Sequence, residues 1–82
     1  MTRLTPTLRR CLRAVDYLTL TEGVPPTIRE VAELLEHQST NGAHESLVRL
    51  RELGLLTWRP NQCRTMRLTP DGVAVAREQV AA

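Results

Sequence analysis

Lysine and phenylalanine are absent from this 82-residue chain, and its aromatic complement is one tryptophan and one tyrosine. Without lysine no serine–lysine catalytic pair can be assigned. Two aromatics are too few for a surface that binds single strands by stacking successive bases. No apolar run approaches the roughly 18 residues of a membrane span. Near the N-terminus Arg9, Arg10 and Arg13 interrupt the apolar pattern and no small-residue cleavage site follows. The expectation is a cytoplasmic protein with no membrane partner.

Cysteine is nearly as scarce. Cys11 falls on an apolar stripe and reads as a small core residue. Cys63 sits in a polar, arginine-rich turn. Neither belongs to a C-x-x-C spacing, so no disulfide and no metal site is expected. His37 and His44 stand apart from one another, the carboxylates scatter, and no glycine-rich phosphate loop is present. These gaps argue against an enzyme, a cofactor or a small-molecule substrate.

What is present fits one domain with one modest core. Net charge is only +2, but its placement is uneven. Residues 1–26 hold four arginines against two acids, and 27–54 hold three against five. Residues 55–68 hold three arginines and no acid. The exclusive use of arginine reads first as a base-composition bias of the source genome, although arginine suits phosphate binding.

Thr5-Pro6 is a helix start, a Thr cap with Pro in the first turn. Leu8, Cys11, Leu12, Val15 and Leu18 follow at helical spacing, predicting a helix over 6–22 that stops near Gly23. Pro25-Pro26 cannot continue it. Thr27-x-x-Glu30 has the form of a capping box ahead of Ile28, Val31, Ala32 and Leu35, predicting a helix over 28–36. A short turn at 37–40 leads to a third helix, about 41–53, closed by Gly54. Leu56 and Trp58, then Met66 and Leu68, alternate with polar residues as two strands joined by a turn at 60–63. Thr69-Pro70 starts a last helix carrying Val73, Ala76 and Val80. The fold class is mostly α with a small β-hairpin, in the order helix-helix-helix-strand-strand-helix, and residues 1–82 form a single domain.

Two short helices joined by a tight turn and followed by an arginine-bearing hairpin describe a winged helix-turn-helix. In that motif the start of the second helix of the pair enters the major groove of DNA. The third helix fits: its beginning carries Ser39, Asn41, His44 and Glu45, while Ala43, Leu47 and Leu50 face inward. Asn pairs with adenine and Glu accepts from cytosine N4. Ser39 and His44 serve bases or phosphates. Glu45 is repelled by phosphate and makes sense as a base reader, the alternative being a solvated residue paired with Arg49. Arg59, Arg64 and Arg67 on the hairpin would track the phosphates, and such contacts position rather than specify. The alternative is an ordinary charged sheet face. Thr27, Arg29 and Arg49 join the backbone set. Tyr17 and Trp58 read as core or core-edge residues.

"LTPTLRRCLRAVDYL", "EGVPPTIREVAELL", "STNGAHESLVRLRELGLL" and "RTMRL" resemble the DNA-binding domain of the LexA repressor family over about residues 1–69. The resemblance implies a winged helix-turn-helix that represses transcription from double-stranded DNA. It implies base-reading positions at Ser39, Asn41, Gly42, His44 and Glu45, and backbone contacts around the wing tip, Asn61 and Gln62 included. The chain departs from the family in several places. Gly42 replaces a common Ala and loosens the helix start by up to about 1 kcal/mol. His44 replaces a common acid and changes a base contact of the family's CTG-type half-site. The wing lacks the family's glycines and carries Cys63. The family's second half, a serine–lysine self-cleaving protease that also dimerises, has no counterpart here.

The leading expectation is a sequence-specific regulator of transcription, acting by repression and binding double-stranded DNA as a homodimer on two half-sites or together with a partner protein. Segment 70–82 is the candidate dimerisation helix, its alternative being a helix that only closes the core. A second reading is a winged-helix protein–protein adaptor without sequence-specific DNA binding. The chain reads as stand-alone, with a fragment of a longer repressor as the open alternative.

Overall fold

The computed structural model describes residues 4–35, 40–59 and 62–77, the first two residues of the third helix by their backbone only. Its elements are α1 (Pro6–Glu22), α2 (Ile28–Leu34), α3 (Thr40–Glu52), β1 (Leu56–Thr57), β2 (Arg67–Leu68) and α4 (Pro70–Ala76). This is the expected mostly helical winged arrangement, in the expected order.

Local signals set the helix ends. The Thr5 hydroxyl accepts from the Leu8 amide at 3.2 Å to start α1. Gly23 ends it at φ 74°, donating its amide to the Thr19 carbonyl at 3.0 Å. In α2 the Glu30 amide donates to Thr27 Oγ1 at 3.1 Å, and the Thr27 amide donates to Glu30 Oε1 at 2.8 Å. Both halves of the capping box are therefore made. The helix stops at Leu34, two residues short of the expected end, and position 36 lies outside the described residues. Leu35 has already left helical geometry, with φ −87° and ψ 2°.

α3 begins and ends one residue earlier than its pattern suggests. Its end is a complete Schellman closure. The Gly54 amide donates to the Arg51 carbonyl and the Leu55 amide to the Leu50 carbonyl, each at 3.0 Å. Gly54 sits at φ 78°, a left-handed conformation that costs other residues about 1 kcal/mol or more.

α1 and α3 form the centre of the molecule. Leu12, Val15, Leu47 and Leu50 are fully buried there, with Cys11, Val31 and Leu56 beside them. Each large aliphatic side chain so buried contributes about 1.5–3 kcal/mol. Cys11 is a free thiol in this core, its pKa raised by burial, and Cys63 is exposed and free. Tyr17 corrects the sequence reading. It is 57% exposed, because position 17 turns away from the face of α1 that carries Leu8, Cys11, Leu12 and Val15.

The hairpin is antiparallel, pairing Leu56 with Leu68 and Thr57 with Arg67. Its ladder is shorter than the alternating pattern predicts, so Trp58 and Met66 lie just beyond it. Trp58 is half-buried against the core and Met66 is buried. Thr69 then ties α4 down. Its hydroxyl donates to the Gly54 carbonyl at 2.7 Å and accepts from the Gly72 amide at 3.1 Å. Gly72 packs against the Leu55 carbonyl so closely that a Cβ would collide with it. Arg77 reaches Asp16 of α1 at 3.1 Å, while Val80 lies outside the described residues. No described helix is long and apolar enough to cross a membrane.

Candidate nucleic-acid interface

α3 changes character along its length. Ala43, Leu47 and Leu50 point one way and are fully buried. His44 and Glu45 point the other way and are exposed, with Gly42 half-buried just before them. The 3.6-residue period compels this split, since 43, 47 and 50 share a face that 44 and 45 leave. Ser39 lies outside the described residues, and Asn41 is described only as backbone within α3.

The wing stands beside that exposed end. A groove of about 430 Å³ runs between them, lined by His44 of α3, Pro26, Thr27 and Ile28 at the start of α2, and Trp58, Arg59 and residues 62–66 of the wing. His44, Thr27, Arg59, Gln62 and Arg64 therefore share one concave surface. Arg29 and Arg67 are exposed, but neither lines this groove. Arg49 lies on the later part of α3 and sits 3.8 Å from Glu52, its i+3 neighbour, rather than engaging Glu45. Asn61 lies outside the described residues.

The wing folds on itself through Thr65. The Arg59 amide donates to Thr65 Oγ1 at 2.9 Å, and the Gln62 amide donates to the Arg59 carbonyl at 3.3 Å. At its base, the Arg51 guanidinium stacks 4.2 Å from the centre of the Trp58 ring. Trp58 is thereby a core-edge residue, covered on one side by a cation from α3.

The wing arginines are not equivalent. Arg59 and Arg67 have no carboxylate partner among the described residues and face solvent. Arg64 is engaged. Its Nη1 lies 3.0 Å from Glu30 Oε1 and 3.3 Å from the Pro25 carbonyl, and its Nη2 lies 3.4 Å from Glu30 Oε2. Both side chains are partly covered, at 47% and 35% exposure. Arg64 also takes φ 58°, a left-handed conformation costing a non-glycine residue about 1–2 kcal/mol. The Thr27 amide, and after it the Arg64 guanidinium, hold the Glu30 carboxyl below its usual pKa.

Reading the sequence missed this link. Glu30 announced itself as a capping residue, and nothing in a linear pattern marks a partner 34 positions away. The Arg51–Trp58 stack was equally silent. Among the described residues no three His, Cys, Asp or Glu side chains gather to hold a metal ion. What the surface offers is hydrogen-bonding side chains at a helix start, flanked by unpaired cations on a narrow ribbon. That is a surface suited to base edges and phosphates.

Comparison with known proteins agrees with this geometry. Residues 1–65 match the family model described as the LexA DNA binding domain. The chain is 39% identical over 70 residues to the LexA repressor of Anaeromyxobacter sp. (strain Fw109-5), covering 85% of this chain and 30% of that protein. It is 38% identical over 69 residues to the LexA repressor of Myxococcus xanthus, covering 84% and 31%. With the LexA repressor of Bacillus subtilis the identity is 29% over 80 residues, covering 98% and 39%. The chain thus spans less than two fifths of the length of these relatives. With most of its length matched by the family model, the chain belongs to the LexA DNA-binding-domain family.

Proposed function

We propose that this domain binds double-stranded DNA with sequence preference and represses transcription where it binds. In this reading the start of α3 enters the major groove. His44 and Glu45, with Ser39, Asn41 and Gly42, meet base edges. Arg59, Gln62 and Arg67 of the hairpin follow the phosphates, joined by Asn61, and Thr27, Arg29 and Arg49 touch backbone from the helices. The observation that carries the reading is the exposure of His44 and Glu45 on an α3 whose opposite face is fully buried, beside a wing rich in arginine. Names borne by the relatives supply the repressor role, which comes to this chain as part of the proposal.

One module of this size reads only a few base pairs, so two copies on paired half-sites give useful specificity. Segment 70–82 is the proposed place of pairing.

The test is equilibrium binding to a mixed-sequence duplex across a range of salt. The four arginines in the proposed backbone set, Arg29, Arg49, Arg59 and Arg67, predict that log K falls with log salt at a slope of about −3 to −4. Binding that ignores salt, or no binding, would overturn the reading and favour a protein–protein adaptor.

A further inference from the structure

We propose that Arg64 is a positioning residue: gripped by Glu30 and the Pro25 carbonyl, it fixes where the wing stands relative to α3. It thereby sets where Arg59 and Gln62 would meet a duplex, a step that rests on the DNA-binding reading above.

The hairpin ladder holds only two residue pairs. Beyond it the base of the wing is secured by buried Met66 and by Trp58 under Arg51. In the outer wing, Arg59 and residues 62–65, the Thr65 hydroxyl accepts from the Arg59 amide and donates to the Gln62 carbonyl. Among the described residues, Arg64 supplies the outer wing's only hydrogen bonds to the helical part of the molecule. Those bonds cross to the connector between α1 and α2 and to the first turn of α2.

The receiving end is already rigid. Glu30 Oε1 accepts from the Thr27 amide at 2.8 Å, so its carboxylate is held by the capping box before Arg64 arrives. A preorganised acceptor reduces the entropy lost on pairing. A guanidinium that meets one carboxylate through two nitrogens also gains directionality that a point charge lacks. Finally, Arg64 keeps a left-handed backbone although it is not glycine. The backbone is thus committed to a conformation in which this side chain is bound to α2. Thr27, His44, Arg59 and Arg64 line one groove, so a strut across its α2 side fixes the groove's width.

The test compares Glu30→Gln, Arg64→Gln and the double variant with the wild-type domain. Gln serves in a capping box as Glu does, so Glu30→Gln keeps the cap and removes the charge. Amide order parameters for residues 62–66 are measured without DNA. Affinity and salt slope are measured on a mixed-sequence duplex. Each single variant is expected to weaken binding by about two- to fivefold, the range of an exposed ion pair, and the double variant by no more. The salt slopes stay at the wild-type value, and the order parameters fall alike in both single variants.

Tighter binding or a steeper slope in Glu30→Gln would mean that Glu30 withholds Arg64 from phosphate, which overturns the proposal. A slope shallower by about 0.9 in Arg64→Gln, with Glu30→Gln unchanged, would make Arg64 a direct phosphate contact and overturn it too. Unchanged order parameters in both variants would show that no strut exists. If the wild-type domain fails to bind duplex, the DNA reading falls, and the order parameters still decide whether Arg64 holds the wing.

Discussion

The two halves of α3 obey different constraints. Its later half is governed by packing: Leu47 and Leu50 are fully buried, and the Schellman closure at Gly54 locks the exit. In its earlier half, among residues 42–45, Ala43 alone is fully buried, while His44 and Glu45 touch solvent and Gly42 weakens the helix. A helix held so firmly at one end can spend the other on recognition. In the proposed reading, the core half supplies the rigidity that base reading needs, and the exposed half supplies the chemistry.

The sharpest way to break this contrast is to attack the anchored half. Leu47→Ala is expected to destabilise the domain by about 2–5 kcal/mol, a large share of what a domain this size possesses. Chemical denaturation measures it, and a loss under 1 kcal/mol would show that the later half is no anchor. On the other half, Glu45→Ala is expected to leave stability nearly unchanged. It should erase about 1–3 kcal/mol of discrimination at one base pair, measured by competition between duplexes that differ there.

The cations come next. Arg59→Ala is expected to weaken binding to all duplexes alike and to make the salt slope shallower by about 0.9. A loss confined to one sequence would move Arg59 into the base-reading set. Gly42→Ala should stabilise α3 by about 0.5–1 kcal/mol, seen as a rise in the denaturation midpoint.

Acid sharpens the comparison at Glu30. Its carboxyl is held below the ordinary value of 4.5, first by the Thr27 amide and then by Arg64. The ionised form is therefore favoured by folding. The stability it contributes is present above that ordinary value and is lost as pH falls through the depressed folded value. Glu30→Gln should flatten this acid limb in a series of thermal midpoints taken against pH.

Much of this was legible in the sequence because the signals are local. Thr5-Pro6, the Thr27–Glu30 box, Gly54 and Thr69-Pro70 each mark a boundary within four residues of where it falls. The buried faces of α1 and α3 follow from period alone. The misses share a cause. α2 ends early because Leu35 turns out of helical geometry although its side chain still packs on the core, and an apolar pattern registers only the packing. Tyr17 looked internal by residue type, whereas its angular position on α1 faces outward. The strut from Arg64 to Glu30 depends on a contact between distant segments, which no periodicity encodes. For the site, His44 and Glu45 were legible as an exposed polar pair. The groove that His44 shares with Thr27 and the wing needed three dimensions.

Selection of bound duplexes from a random pool tests the recognition role of α3 most directly. The wild-type domain should enrich one short motif, and a His44→Ala/Glu45→Ala variant should lose that motif while still binding DNA in a salt-dependent way. Enrichment of the same motif by both proteins would contradict the assignment of base reading to the start of α3.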